Sequence, residues 1–269
     1  MDLIHTPRHD AWSREIEQYS GELAALFDER DHLNNVVLPN IEREYQCALG
    51  ELEYEKFVQM VELQKTRRTI ELMQSYLNRK LIPDMMEIEQ MLSEQFAEWQ
   101  AKISEMAASV EQARLESEHG RVATIEETAE CRSLFREIVK QLHPDIIGEL
   151  TDDQKTLWMQ AQEAYKLYDI KELRTIALLL GNKLPLPDIT NEEQHRKKIS
   201  SLTSAIEHLR QEITEIRNRR PYLYRSLLMD AAKVQQQRDT LTGEIADYHV
   251  QLQYYTIILS ELRKDWTPS

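Results

Sequence analysis

Leu134-Phe135-Arg136-Glu137-Ile138-Val139-Lys140-Gln141-Leu142-His143-Pro144-Asp145 holds a helix and its stop signal in one run. Leu134, Phe135, Ile138, Val139 and Leu142 recur at helical spacing, so one face of a helix carries them all. Arg132, Arg136 and Lys140 stand four apart and form a basic stripe on another face. Pro144 has no amide hydrogen and biases His143 away from helical geometry, so the helix ends there. An exposed loop is expected next, through Ile146, Ile147, Gly148, Glu149 and Leu150. Thr151-Asp152-Asp153-Gln154 then reads as a capping box, with hydroxyl and amide side chain each serving the other residue's backbone N–H. The helix it starts buries Trp158, Ala161, Ala164, Tyr165 and Tyr168, and its alanines admit a close partner helix. Asp169 is placed to cap a last short helix carrying Leu173, Ile176, Ala177 and Leu180. The implied shape is a pair of antiparallel helices joined by a polar corner.

Outside this unit the texture changes. Leu184-Pro185-Leu186-Pro187 closes it, and 184–190 reads as a linker. Beyond that, Ile199, Leu202, Ile206, Leu209, Ile213 and Ile216 alternate three and four residues apart, and the rhythm returns at Leu241, Ile245, Tyr248, Leu252, Tyr255, Leu259 and Leu262. Two seams around Pro221 predict a C-terminal helical hairpin over 191–269. On the other side, 1–122 reads as an N-terminal array of long antiparallel helices. Its breaks are expected at Asn34, Asn35 and Pro39 and again at Asn78 and Pro83. Its apolar stripes run through Ile16, Tyr19, Leu23, Leu26 and Phe27, then Leu52 to Leu63, then Met86 to Met106. The compact unit between the arms spans 123–183.

Composition agrees with an all-α chain. Only 6 glycines occur in 269 residues, too few for the turns of a barrel or doubly wound enzyme of this length. The formal net charge of −14 argues against general binding to nucleic-acid phosphates. Cys47 and Cys131 lie far apart in no metal-type spacing, which favours a reducing compartment over a disulfide framework. Met1 to His9 has no apolar core followed by small residues, so no signal peptide is expected. No apolar run is long enough to span a bilayer, and a cytoplasmic protein is expected. His5 and His9 stand four apart, but Pro7 between them works against a helical metal face. No Gly-rich phosphate loop, paired cysteines or Gly-x-Ser-x-Gly occurs, so neither an enzyme nor a cofactor site is expected.

A helix, His143-Pro144-Asp145, and a second helix ending in Glu163-Ala164-Tyr165 together resemble the J-domain of DnaJ co-chaperones. Such domains read Tyr-Arg-Lys-Leu-Ala before His-Pro-Asp, where Phe135, Arg136, Glu137, Ile138 and Val139 stand here. The resemblance covers roughly a fifth of the chain, from Leu134 to Leu180. The chain departs from the pattern in its first helix, whose Tyr-x-x-Leu-Gly signature is missing; the end of the long helix through Glu118 is expected to take that place. Glu137 and Gln141 replace usual basic residues, Ile146 and Ile147 replace Lys and Asn, and no Gly/Phe-rich linker or zinc repeat is present. The overall plan resembles bacterial coiled-coil proteins with an embedded J-like domain.

The resemblance implies a non-enzymatic co-chaperone or adaptor. Its corner, His143, Pro144 and Asp145, would dock on a DnaK-type chaperone and promote ATP hydrolysis, with Arg132, Arg136 and Lys140 meeting an acidic partner surface. The coiled-coil arms would select a client or a location, and their heptads could close within one chain or in a homo-oligomer. The alternative is a coiled-coil scaffold whose J-like unit is only a protein-docking module. At the level of single residues, Asp145 could instead be a helix cap, and the basic stripe a solvated face.

Overall fold

A computed structural model describes residues 7–119, 124–181 and 191–264. The 184–190 linker, His5, Val122 and Trp266 lie outside them. Every regular element among the described residues is helical, so the protein is all-α as expected. None of these helices is long and apolar enough to cross a membrane.

The chain divides into two compact units, but not at the sequence boundaries of 122, 183 and 191. One unit joins Met1–Asn40 to Arg121–Leu223, and the other joins Ile41–Gly120 to Tyr224–Ser269. The expected N-terminal array and C-terminal hairpin are therefore both cut, and each unit takes one piece of each. The reason lies in what an apolar seam encodes. It fixes that a helix needs a partner and leaves the partner's identity open.

In the first unit, α1 (Pro7–His32) pairs with α10 (Glu192–Arg217). Glu22 meets Arg210 and Glu29 meets Arg217, each pair 188 positions apart. A constant offset means that both helices run in the same direction. Ile16, Leu23, Ala24 and Phe27 of α1 share one core with Leu202, Ile206 and Leu209 of α10. This overturns the hairpin expectation for α10, whose heptad seam is filled by a parallel helix from the chain's beginning. Next along the chain, Leu33–Val37 forms a π turn, where the Leu38 N–H donates to the Leu33 carbonyl five residues back. Pro39 then enters α2 (Leu38–Tyr45) without ending the helix there. The wider turn supplies room for a ring that would strike the carbonyl four residues earlier.

Against α1 lies α6 (Ile125–Leu142), and α7 (Pro144–Ile147), α8 (Asp152–Lys166) and α9 (Ile170–Leu180) pack in turn on α6. Each start is set locally. Thr124 with Glu127 and Thr151 with Gln154 close capping boxes, and Asp169 accepts the Glu172 N–H. Phe135 stacks on Tyr165 at a 4.0 Å ring separation while His143 meets Trp158, so α6 and α8 are antiparallel. Leu134, Ile138, Leu142, Trp158, Ala161 and Tyr165 fall in one cluster, as the apolar spacing requires.

In the second unit, α3 (Glu51–Asn78) leads into a turn in which Lys80 adopts positive φ. Asp84 caps α4 (Met85–Gln95), and α5 (Ala97–His119) continues after Phe96. Arg68 meets Gln95 and Tyr76 meets Glu87, so α4 returns antiparallel to α3. Ahead of α3, Gln46–Gly50 forms a second π turn. A Cβ on Gly50 would stand 3.0 Å from a Val110 methyl, so glycine lets α5 approach there. After a single turn, α11 (Arg225–Leu228), the final helix, α12 (Ala231–Lys264), packs on α3. Lys56 pairs with Glu244, and Arg67 donates to Tyr255, again 188 apart. This pair is parallel too, not half of a C-terminal hairpin.

The parallel register of α1 and α10 predicts a cross-linking pattern in a Cys47→Ser background. Glu29→Cys with Arg217→Cys should link through a short bismaleimide. Glu15→Cys with Arg217→Cys should not, because 14 residues of helix separate Glu15 from Glu29, about 21 Å at 1.5 Å per residue. Peptide mapping of the linked chain checks it, and efficient linking of the second pair would mean an antiparallel or shifted register.

Candidate functional site

The site grows from a buried charge. Asp28 is 1% exposed, in the last turns of α1. A carboxylate taken out of water needs charged and hydrogen-bonded partners. Arg132 of α6 supplies them through Nε, at 3.1 Å and 3.2 Å from the two oxygens, and through Nη2 at 2.9 Å. Tyr165 of α8 donates its hydroxyl to the same carboxylate at 2.7 Å, and Arg136 Nε stands 3.8 Å away. One carboxylate thus ties three helices together. Burial, with the Asp28 charge beside it, pushes the Tyr165 hydroxyl pKa up and keeps it a donor. The Asp28 bond raises the Arg132 pKa, and burial pushes the thiol of Cys131, next to Arg132, up to about 11.

His143 ends α6 in extended backbone, as Pro144 requires. An exposed loop is expected after it, but Pro144–Ile147 winds into a single helical turn, and the His143 Nδ1 accepts the Asp145 N–H at 3.1 Å. His143, not Asp145, is therefore the cap. Its ring packs 3.8 Å from Phe27 of α1, centre to centre, and edge-on to Trp158, leaving the side chain 13% exposed. Burial lowers its pKa to about 4, against the pull of Asp145, so the imidazole is neutral at neutral pH with Nδ1 free to accept. Ile146 is fully buried and Leu150 nearly so, and the burial of these two apolar side chains folds the segment inward. Pro144 and Asp145 stay exposed at the corner, and the Asp145 carboxylate is half exposed.

The six sequence-predicted residues therefore separate by role. Pro144 and Asp145 face solvent, and Lys140, on the last turn of α6, pairs with Glu137 of its own helix. Arg136 is exposed but leans toward Asp28. His143 holds the unit together from inside, and Arg132, a third exposed, commits its guanidinium to the buried Asp28 carboxylate. An arginine on a docking face and one paired with a buried aspartate look alike in sequence until the helices meet. α1 packs against α6 and shares its core.

Two further residues shape the corner. Arg30 of α1 lies over the Phe27 ring at 4.9 Å. Lys198 of α10 donates its ammonium to the Asp145 carbonyl at 2.9 Å. The polar Asp28 immediately after Phe27, beside an apolar stripe, is the one sequence signal for a buried ion pair. Lys198 leaves none, because exposed lysines are common on any helix. No family model, curated protein or solved structure matches this chain.

The Asp28 hub predicts an asymmetric pair of variants. Arg132→Ala strands a buried carboxylate and is expected to cost about 3 kcal/mol or more of unfolding free energy. Asp28→Asn keeps an acceptor for Tyr165 and leaves Arg132, a third exposed, free to meet water, so its cost is expected to be about half as large. Urea titration of both proteins checks this, and equal or reversed costs would mean that the hub is not the constraint described.

Proposed function

We propose that this chain is a non-enzymatic, J-like co-chaperone or adaptor that docks on a DnaK-type chaperone through the Pro144–Asp145 corner and promotes its ATP hydrolysis. One observation carries the reading: two antiparallel helices, fixed to each other by Phe135, Trp158 and Tyr165, hold a rigid proline and a half-exposed carboxylate at their junction. A carboxylate so held is ready to accept charge-assisted hydrogen bonds from a partner arginine without ordering a loop first. Arg136 and Lys140 flank it on α6 and suit an acidic margin around that arginine. The helices outside the J-like unit would select a client or a location, alone or in a homo-oligomer. We take the compartment to be the cytoplasm, where the free thiols Cys47 and Cys131 persist.

A second reading is favoured by a specific observation. Arg132 and His143 are occupied by internal contacts, as they would be if the J-like unit were only a packing or docking module in a coiled-coil scaffold. The two readings differ at Asp145, whose half-exposed carboxylate promotes ATP hydrolysis only in the first.

Asp145→Asn is therefore expected to leave the melting temperature nearly unchanged and to abolish stimulation of the source cell's DnaK-type ATPase. A charged hydrogen bond contributes roughly 1.5–3 kcal/mol, so binding should weaken by about one to two orders of magnitude. Steady-state ATP turnover with wild type and variant checks it. Absence of stimulation by the wild type with any DnaK-type chaperone of that cell would leave the scaffold reading in its place.

A further inference from the structure

Lys198 stands where a partner's cation would have to arrive. Ile199, Leu202 and Ile206 pack α10 into the first unit's core, which holds the backbone of Lys198 at the corner. Its ammonium donates to the Asp145 carbonyl at 2.9 Å, and α10 packs on the α7 turn that carries Asp145. The residue is partly exposed. Burial lowers its pKa, while the Asp145 carboxylate pulls it back up.

We propose that Lys198 is a built-in restraint on the corner, an intramolecular cation that competes with a cationic partner group for Asp145. This rests on the docking role proposed for Asp145 and names its regulation. The basis is electrostatic. An arginine approaching the carboxylate meets a positive charge already held at the carbonyl of the same residue, and like charges that close oppose each other even near the surface. The lysine also occupies one acceptor site of that carbonyl, so a donor from a partner meets competition there. Both effects weaken association without touching the fold. The corner would then be held below its full affinity in the resting protein, and anything that neutralises or withdraws the lysine would raise it.

Lys198→Gln tests the charge alone, since the amide can still donate to the Asp145 carbonyl. Lys198→Ala removes the bond as well. Affinity for the purified DnaK-type chaperone of the source cell, in its ATP-bound form, is measured at low and high salt. Lys198→Gln is expected to bind about fivefold more tightly than wild type at low salt, with the gain shrinking at high salt as the exposed charge is screened. Lys198→Ala is expected to gain at least as much. Asp145→Asn combined with Lys198→Gln should show no gain over Asp145→Asn alone, because the restraint acts through that carboxylate. If wild type binds and Lys198→Gln binds equally or more weakly, the restraint is refuted while the docking role stands. If neither wild type nor any Lys198 variant binds, the docking role and the restraint fall together.

Discussion

The ion pair between Asp28 and Arg132 is the constraint on which the first unit depends. A carboxylate with 1% of its surface exposed is tolerable only where donors converge on it. Those donors come from α6 and α8, more than a hundred residues further on. Satisfying Asp28 therefore fixes α1 against the antiparallel pair. With α1 in place, Phe27 lies against His143, the His143 ring is driven into the core, and its Nδ1 is committed to the Asp145 amide. The corner's geometry is the end of a chain of contacts that begins at a buried charge. A buried ion pair need not add net stability over an apolar substitute, but it punishes any register that leaves Asp28 unpaired. Its contribution is to specify one arrangement of three helices.

The helical pairings show a second economy. α1 with α10, and α3 with α12, are each parallel, and in each the paired residues are 188 positions apart. Parallel neighbours cannot be joined by a short turn. The chain must travel elsewhere and return, and in the first unit the segment from α6 to α9 lies along that detour. Glu22 with Arg210 and Glu29 with Arg217 repeat after seven residues, which suits flanking positions of a heptad seam. As exposed pairs they contribute little energy each, and their use is to set direction and register.

Legibility in the sequence tracks the range of the interactions. The helical class, the stop at Pro144, the Thr151 and Asp169 caps, and the shared face of Ile138, Leu142, Ala161 and Tyr165 are set within a few residues and are legible. Pairing is not. The seam from Ile199 to Ile216 announces a partner, and a hairpin is the shortest solution, yet α1 fills it. The proline at position 39 reads as a break, but a π turn before it lets the helix continue. At the site, Pro144 and Asp145 are readable as a corner. That corner looks like an open loop in sequence because Ile146, which folds inward, finds its apolar neighbours only in the assembled core. Arg132 reads as a surface residue because its counter-charge lies on a helix that sequence proximity does not suggest.

α1 is an integral part of the helical unit that carries the corner, although nearly a hundred residues intervene. Native-state hydrogen exchange tests this most directly, because elements that form one cooperative unit lose protection together. Amides in the middle of α1, around Leu23 to Asp28, are expected to exchange with the same opening free energy and the same denaturant dependence as those of α6 and α8. Rapid exchange across that part of α1, while α6 and α8 stay protected, would show that the antiparallel pair stands without it and that the Asp28 hub does not organise the site.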